Sequence, residues 1–167
     1  ILVLDNQAQQ FGRGLILDEN QNDKTIVSAQ LMRGDFEELP SLFSLKKYSP
    51  TPGYQGGYST CAGWASAYSA RTILNAIKNE YIAPLIDQNA FSPSYIYNQI
   101  RKDSTCNNGV DLKDALELMK TQGVLSLNDF GYECERKIES QDKYRAGQNR
   151  ILEYREIFNR YSTNKIS

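Results

Sequence analysis

The sequence contains no histidine, only three cysteines and one tryptophan, and no excess of either charge, with a formal net charge of -1. Without histidine, no residue of the chain can act as the imidazole base that commonly activates a thiol or hydroxyl nucleophile. The interspersed charges form no basic stripe for nucleic acid and no cationic face for an anionic membrane. We therefore predict neither of these partners.

The sequence also lacks a long apolar run. None approaches the roughly 18 to 20 residues that a membrane span needs. The opening residues "ILVL" are too few for the apolar core of a signal peptide. Because the sequence begins with Ile1 and not with methionine, we expect that a processing or cloning boundary precedes it and that any export signal is already removed.

The three cysteines are Cys61, Cys106 and Cys134. If Cys61 is set aside as a thiol, the other two can pair, and a disulfide between them would point to an oxidising compartment. Three reduced, partly buried cysteines in a cytosolic protein fit the sequence equally well.

The 167 residues are 40% hydrophobic and 11% aromatic, which is enough to build one packed domain. Near the start, two short apolar runs at residues 15–17 and 25–27 flank a polar stretch, a pattern typical of a hairpin. The acidic residues Asp35, Glu37 and Glu38 follow. They could suggest a metal site, but a solvated loop is the better interpretation, and we predict no metal and no cofactor.

Apolar residues at helical spacing predict a first helix from Thr60 to Lys78. Small or apolar residues occupy nearly all its sides, so we expect it to be buried on most sides. Ser59 or Thr60 can cap its N–H groups.

Two further helices have clear boundary signals. In "FSPSYIYNQI", Ser92 is a good cap and Pro93 suits the first helical position. Another helix is predicted from Asp111 to a stop at Gly123. The last stretch, from residue 142 onwards, is compatible with helix and with strand.

Cys61 lies between a glycine-rich loop and the first helix, in "GYQGGYSTCAGWASAY". A cysteine in the first turn of a helix lies where backbone N–H groups and the positive end of the macrodipole favour a thiolate. Gly56 and Gly57 let the backbone approach a substrate, and the Gln55 amide could join the Cys61 N–H in binding an oxyanion. The plainer alternative is that Cys61 is a small apolar residue beneath a helix start.

Three stretches together resemble the papain family of cysteine peptidases, in particular a bacterial branch. They are "LPSLFSLKKYSPTPGYQGGYSTCAGWASAYSARTI", "SPSYIYNQI" and "TCNNGVDLKDALELMKTQGV". The resemblance implies an α+β fold of two lobes: a mostly helical lobe with a buried nucleophile helix, and a strand-rich lobe missing from this chain. It divides the chain into an N-terminal extension (1–36), the helical lobe (37–140) and the start of a crossover to the second lobe (141–167).

Carried over by residue, the resemblance implies that Cys61 is the nucleophile and Gln55 the side-chain donor of the oxyanion hole. It implies that Asn107, Asn108 and Gly109 lie in a loop whose backbone pairs with the bound peptide. The position of Gly57 in the glycine-rich loop separately places it beside the substrate.

The sequence departs from the family pattern at several positions. Trp64 stands three residues after the nucleophile position, where many members have tryptophan directly after it, and we interpret it as core packing. Tyr58 stands where many members have a disulfide cysteine, and Ser59 replaces a common glycine. Cys106 matches a half-cystine whose usual partner would lie at position 58, so it is either reduced or paired differently.

The resemblance implies a secreted or periplasmic cysteine endopeptidase that hydrolyses peptides or proteins through a thioester at Cys61. A second lobe, within a longer chain or as a separate cleaved chain, would supply histidine and asparagine, so we expect this chain alone to be inactive. Two alternatives remain: a non-catalytic peptide-binding or assembly domain, and transglutaminase-like acyl transfer.

Overall fold

The computed structural model describes residues 15–16 and 41–155. The helices are α1 (Cys61–Gly63), a π-helical stretch (Trp64–Arg71), α2 (Thr72–Lys78), α3 (Ala83–Gln88), α4 (Pro93–Ile100), α5 (Leu112–Thr121), α6 (Leu127–Phe130) and α7 (Ser140–Ala146). Short 3₁₀ turns lie at Lys46–Tyr48 and Gly147–Asn149. The strands β1 (Leu15–Ile16) and β2 (Val110–Asp111) pair in parallel, with Leu15 opposite Val110. The described part of the chain is therefore mostly helical.

Most of the N-terminal extension lies outside the described residues. The second run of the predicted hairpin, at 25–27, and the acidic residues Asp35, Glu37 and Glu38 belong to that part. The hairpin therefore stays a prediction.

The first predicted helix is present as α1, the π-helical stretch and α2, which follow one another without a break from residue 61 to 78. We call this continuous element the Cys61 helix. Within its first half the Ser66 hydroxyl donates to the Ala62 carbonyl at 2.7 Å, a back-bond that often bends helices. A π-helical stretch is uncommon and frequently accompanies a functional site.

Burial of the Cys61 helix is one-sided. Ala62, Ala67 and Ala76 are buried, whereas Leu74 is 56% and Ile77 38% exposed. The burial expected on most sides is therefore found on one side in this chain.

The α4 boundary signals are confirmed. The Ser92 side chain accepts the Tyr95 N–H, and Pro93 occupies the first helical position. The Cys61 helix approaches this start closely, since a Cβ on Gly63 would lie 2.5 Å from the Pro93 carbonyl oxygen. Only glycine at position 63 permits this contact, because any side chain would press against backbone.

The third predicted helix is also confirmed as α5. The Asp111 carboxylate accepts the Lys113 N–H at its start. Beyond its end, Gly123 has a φ of +86°, the left-handed conformation in which glycine commonly ends a helix.

The main core lies between the Cys61 helix, α4, α5, α6 and α7. Its buried residues are Ala67, Phe91, Tyr95, Ile96, Ala115, Leu118, Met119, Val124, Leu125, Phe130 and Ala146. Part of the stretch compatible with helix or strand is thus helical, since α7 carries Ala146 into this core. Within the described residues, no helix has the length and apolar character to cross a membrane.

Candidate active site

Cys61 is the first residue of α1, is partly exposed, and lies outside the disulfide. The cap position is Thr60, and its side chain accepts none of the helix N–H groups. The predicted side-chain capping by Ser59 or Thr60 is therefore wrong. The physical reason is that the Thr60 hydroxyl lies 2.7 Å from the Tyr132 hydroxyl instead, while the Ser59 hydroxyl donates to the Asn107 carbonyl at 2.8 Å.

The loop before Cys61 holds Gln55 in a defined place. The Gln55 side-chain amide donates to the Tyr58 carbonyl at 2.7 Å. Gly56 between them has a φ of +69°, which favours glycine. Gly57 is open, because a Cβ there would meet nothing within 4 Å. The loop thus places an amide and an open backbone segment just before the thiol, and the oxyanion role of Gln55 stays a prediction.

The loop containing Asn107, Asn108 and Gly109 lies against the Cys61 loop. The Ser59 N–H donates to the Cys106 carbonyl at 2.8 Å, beside the contact of the Ser59 hydroxyl with Asn107. Gly109 directly precedes β2. Asn107 and Asn108 are exposed and Gly109 is half-buried. The structure therefore brings the predicted peptide-binding residues to the same region as Cys61.

This second loop is held from inside the domain as well. The Tyr97 hydroxyl donates to the Asn108 carbonyl at 2.5 Å. Burial raises the pKa of Tyr97 above its ordinary value, so the hydroxyl keeps the proton that it donates.

A disulfide joins Cys106 to Cys134, so Cys106 is paired, and with a partner other than position 58. Cys106 is fully buried and has a φ of +57°, which is uncommon for a non-glycine residue. The Arg101 guanidinium lies 3.1 Å from the Cys106 sulfur. The bond ties the loop at 107–109 to the segment that carries Tyr132, and it is compatible with an extracytoplasmic location.

Tyr132 is a site residue that sequence reasoning missed. Its hydroxyl contacts the Thr60 hydroxyl and the Gln55 carbonyl oxygen, both at 2.7 Å. Its ring meets the Trp64 ring edge-on, with centroids 5.0 Å apart. No local sequence signal marks it, because its partners lie more than seventy residues earlier in the chain.

Trp64 packs against aromatic rings, but it is partly exposed and lies outside the buried core clusters, so the interpretation as core packing holds only in part. Its centroid lies 4.6 Å from that of Tyr68. The Tyr68 hydroxyl donates to the Thr51 carbonyl at 2.6 Å, and burial raises its pKa, which keeps it a donor. The described residues contain no group of three acidic, cysteine or histidine side chains that could hold a metal ion.

Comparison with known structures shows that this fold is similar to that of part of a cysteine protease. The structure is similar to that of xylellain, a cysteine protease from Xylella fastidiosa, with a TM-score of 0.58 and 17% sequence identity over 90% of this chain. This chain spans 60% of the xylellain chain. No protein-family model and no curated protein sequence matches. The similarity confirms the resemblance to papain-like cysteine peptidases at the level of the fold.

Proposed function

We propose that this chain is the helical lobe of a papain-like cysteine endopeptidase in which Cys61 is the nucleophile. The observation that carries the proposal is a partly exposed thiol at the first residue of a helix, in a fold shared with a cysteine protease. The Thr60 side chain, which would ordinarily occupy the helix N–H groups, is directed to Tyr132. Backbone N–H groups at a helix start favour negative charge, both on a thiolate and on an oxyanion.

In the proposed reaction, the Cys61 thiolate attacks the carbonyl carbon of the scissile peptide bond. The electron pair of the C=O bond moves to its oxygen, which the Cys61 backbone N–H and the Gln55 amide stabilise. Collapse of the intermediate expels the amine, which takes up a proton, and leaves a thioester on Cys61. Water then attacks the thioester carbonyl carbon, the C–S bond breaks, and the acyl group leaves as a carboxylic acid while the sulfur takes up a proton and becomes a thiol again.

This sequence contains no histidine that could serve as the proton donor and base of the reaction. We propose that a second, strand-rich lobe supplies histidine and the asparagine that orients it, either in a longer chain or as a separate chain. The exposed side of the Cys61 helix supports this, because the small residues Ala65, Ser69 and Ala70 are exposed there and would let a second lobe approach the helix closely.

The substrate in this proposal is an extended peptide or protein segment. It would lie along Asn107, Asn108 and Gly109 and pair with their backbone, while Gly57 admits it close to the main chain. The exposure of Asn107 and Asn108 and the open space at Gly57 support this arrangement.

We place the enzyme in the periplasm or outside the cell. The Cys106–Cys134 disulfide supports this, because structural disulfides persist mainly in oxidising compartments.

Peptide hydrolysis by the protein with its second lobe present tests the proposal. We expect Cys61→Ala to abolish hydrolysis, and Gln55→Ala to lower kcat by ~10² with little change in KM, as loss of an oxyanion donor does. Tyr144→Phe is the matched control, since Tyr144 is 78% exposed, and we expect its kinetics to equal those of the wild type.

Two outcomes of this experiment would contradict the proposal and indicate a different function. Peptide binding without hydrolysis, unchanged in Cys61→Ala, would identify a non-catalytic binding domain. Preferential transfer of the acyl group to an added amine would identify transglutaminase-like chemistry.

A further inference from the structure

We propose that Tyr132 is a positioning residue for acylation at Cys61, acting through Gln55. This inference rests on the function proposed above. The hydroxyl of Tyr132 contacts Thr60 and Gln55, and in this proposal it touches no reacting atom. Its hydroxyl instead joins the two ends of the loop that precedes Cys61.

The direction of the hydrogen bonds follows from the donors available. The main-chain carbonyl oxygen of Gln55 can only accept a hydrogen bond, so the Tyr132 hydroxyl donates to it at 2.7 Å. A tyrosine hydroxyl carries one proton, and therefore the Thr60 hydroxyl must donate to the Tyr132 oxygen at 2.7 Å. The chain of bonds runs from Thr60 through Tyr132 to Gln55.

These two hydrogen bonds fix the loop that precedes Cys61 at both of its ends. Thr60 directly precedes Cys61 and is fully buried, and Gln55 begins the loop. The Gln55 amide in turn donates to the Tyr58 carbonyl. With its backbone held by Tyr132 and its amide held by Tyr58, Gln55 can keep a constant position relative to Cys61.

The Tyr132 ring is itself held in place. It packs edge-on against Trp64 and, at 6.3 Å between centroids, against Tyr58. The backbone just before it is anchored where the Ser92 hydroxyl donates to the Gly131 carbonyl at 2.7 Å. The hydroxyl therefore projects from a rigid support, as a positioning group requires.

Tyr132→Phe removes one oxygen atom and keeps the ring. The Gln55 carbonyl then loses its donor and the buried Thr60 hydroxyl loses its acceptor, so the loop should shift or loosen. Displacement of a catalytic group by about 1 Å can cost about 10²-fold in rate. We expect Tyr132→Phe to lower kcat 10- to 100-fold and to change KM less than twofold.

A double-mutant cycle in the protein with its second lobe tests whether Tyr132 acts through Gln55. We expect the double variant Tyr132→Phe/Gln55→Ala to be no slower than Gln55→Ala alone, because the position of an absent amide no longer matters. Tyr144→Phe is the control and should leave kcat unchanged. Multiplying effects in the double variant, or an unchanged kcat in Tyr132→Phe, would overturn the inference.

A second measurement separates this inference from the proposed function. The side-chain amide signals of Gln55 in a ¹H–¹⁵N spectrum should be shifted and less ordered in Tyr132→Phe, and unchanged in Tyr144→Phe. If the wild type hydrolyses no peptide but this spectral change occurs, the proposed function and the role in acylation fail, while the positioning of Gln55 by Tyr132 stands. If the Gln55 signals are the same in Tyr132→Phe and the wild type, the positioning role is wrong.

Discussion

Two helices of this protein begin with a buried hydroxyl residue at the cap position, and the two hydroxyls have different partners. At the start of α4, Ser92 accepts the Tyr95 N–H at 3.2 Å and donates to the Gly131 carbonyl. At the start of the Cys61 helix, Thr60 accepts no helix N–H group and contacts Tyr132 instead. The Ser92 hydroxyl therefore caps its own helix, whereas the Thr60 hydroxyl binds the segment that carries Tyr132.

The difference separates a structural helix start from a candidate functional one. A capped start has a side-chain oxygen on its N–H groups, which stabilises the fold but occupies the end of the helix. At the start of the Cys61 helix the Thr60 side chain does not take this role, and the thiol lies at the same end. The comparison therefore supports a thiolate or oxyanion site at Cys61 and a purely structural role for Ser92.

The largest loss of stability is expected where the starts of the Cys61 helix and α4 touch. Gly63→Ala places a Cβ 2.5 Å from the Pro93 carbonyl oxygen, so the helices must separate. We expect the free energy of unfolding to fall by about 3 kcal/mol, as in overpacked cores. Urea denaturation measures this, with Gly57→Ala as the control, because a Cβ there meets nothing within 4 Å. Equal stability of both variants would show that the helices do not pack this closely.

Ser92→Ala should have the next largest effect on stability. It removes the cap of α4, worth about 1 kcal/mol, and the donor to the Gly131 carbonyl, worth about 1 kcal/mol more. We expect the free energy of unfolding to fall by about 2 kcal/mol in urea denaturation. Ser92→Gly should restore most of the capping part, because glycine is also a favourable N-cap residue, and should leave the loss of the Gly131 bond. If Ser92→Ala lost less stability than Thr60→Val, the view that Ser92 caps its helix and Thr60 does not would be contradicted.

Thr60→Val should cost less, because it breaks the bond to Tyr132 and removes no helix cap. We expect a loss of about 1 kcal/mol. The loss should not add to that of Tyr132→Phe, since the two residues share one hydrogen bond. Urea denaturation of both single variants and the double variant measures the coupling. Fully additive losses would show that Thr60 stabilises something other than this bond.

The smallest expected effect is a change at acid pH near the start of the Cys61 helix, with no change at the start of α4. The N–H groups of Thr105 and Asn108 hold the pKa of the Asp103 carboxyl below its ordinary value. Its contribution is therefore present above the ordinary pKa and is lost as the pH falls through the lowered one. The loop that it organises contacts Ser59 through Asn107. We expect the amide signal of Ser59, and not that of Ser92, to shift in this acid range.

Asp103→Asn provides the control for this titration. The variant keeps a side chain of the same shape but has no carboxyl to protonate, so the acid shift of the Ser59 signal should disappear. A shift of equal size in Asp103→Asn would assign the change to another group.

Local signals were enough to predict the elements that carry the candidate site. Apolar spacing predicted the Cys61 helix, and the Ser-Pro pair predicted the start of α4, because these features depend on residues within a few turns. The place of Cys61 at a helix start follows from the same local pattern.

Other features of the site depend on contacts between distant segments. The Thr60 hydroxyl has a helix N–H group and a tyrosine 72 residues away as competing partners, and only the packed structure decides between them. The pairing of Cys106 with Cys134 spans 28 residues, and the family pattern pointed to a different partner. No local sequence pattern marked Tyr132, because its hydrogen-bond partners also lie far away in the sequence.

The central claim is that Cys61 becomes acylated, and trapping the intermediate tests it most directly. The protein with its second lobe would be mixed with an activated peptide ester, quenched in acid within one turnover, and analysed by intact mass and peptide mapping. We predict a mass increase equal to the acyl group, located on Cys61 and absent from Cys61→Ala. Turnover of the ester with no acyl group on Cys61, or with the acyl group on another residue, would contradict the account.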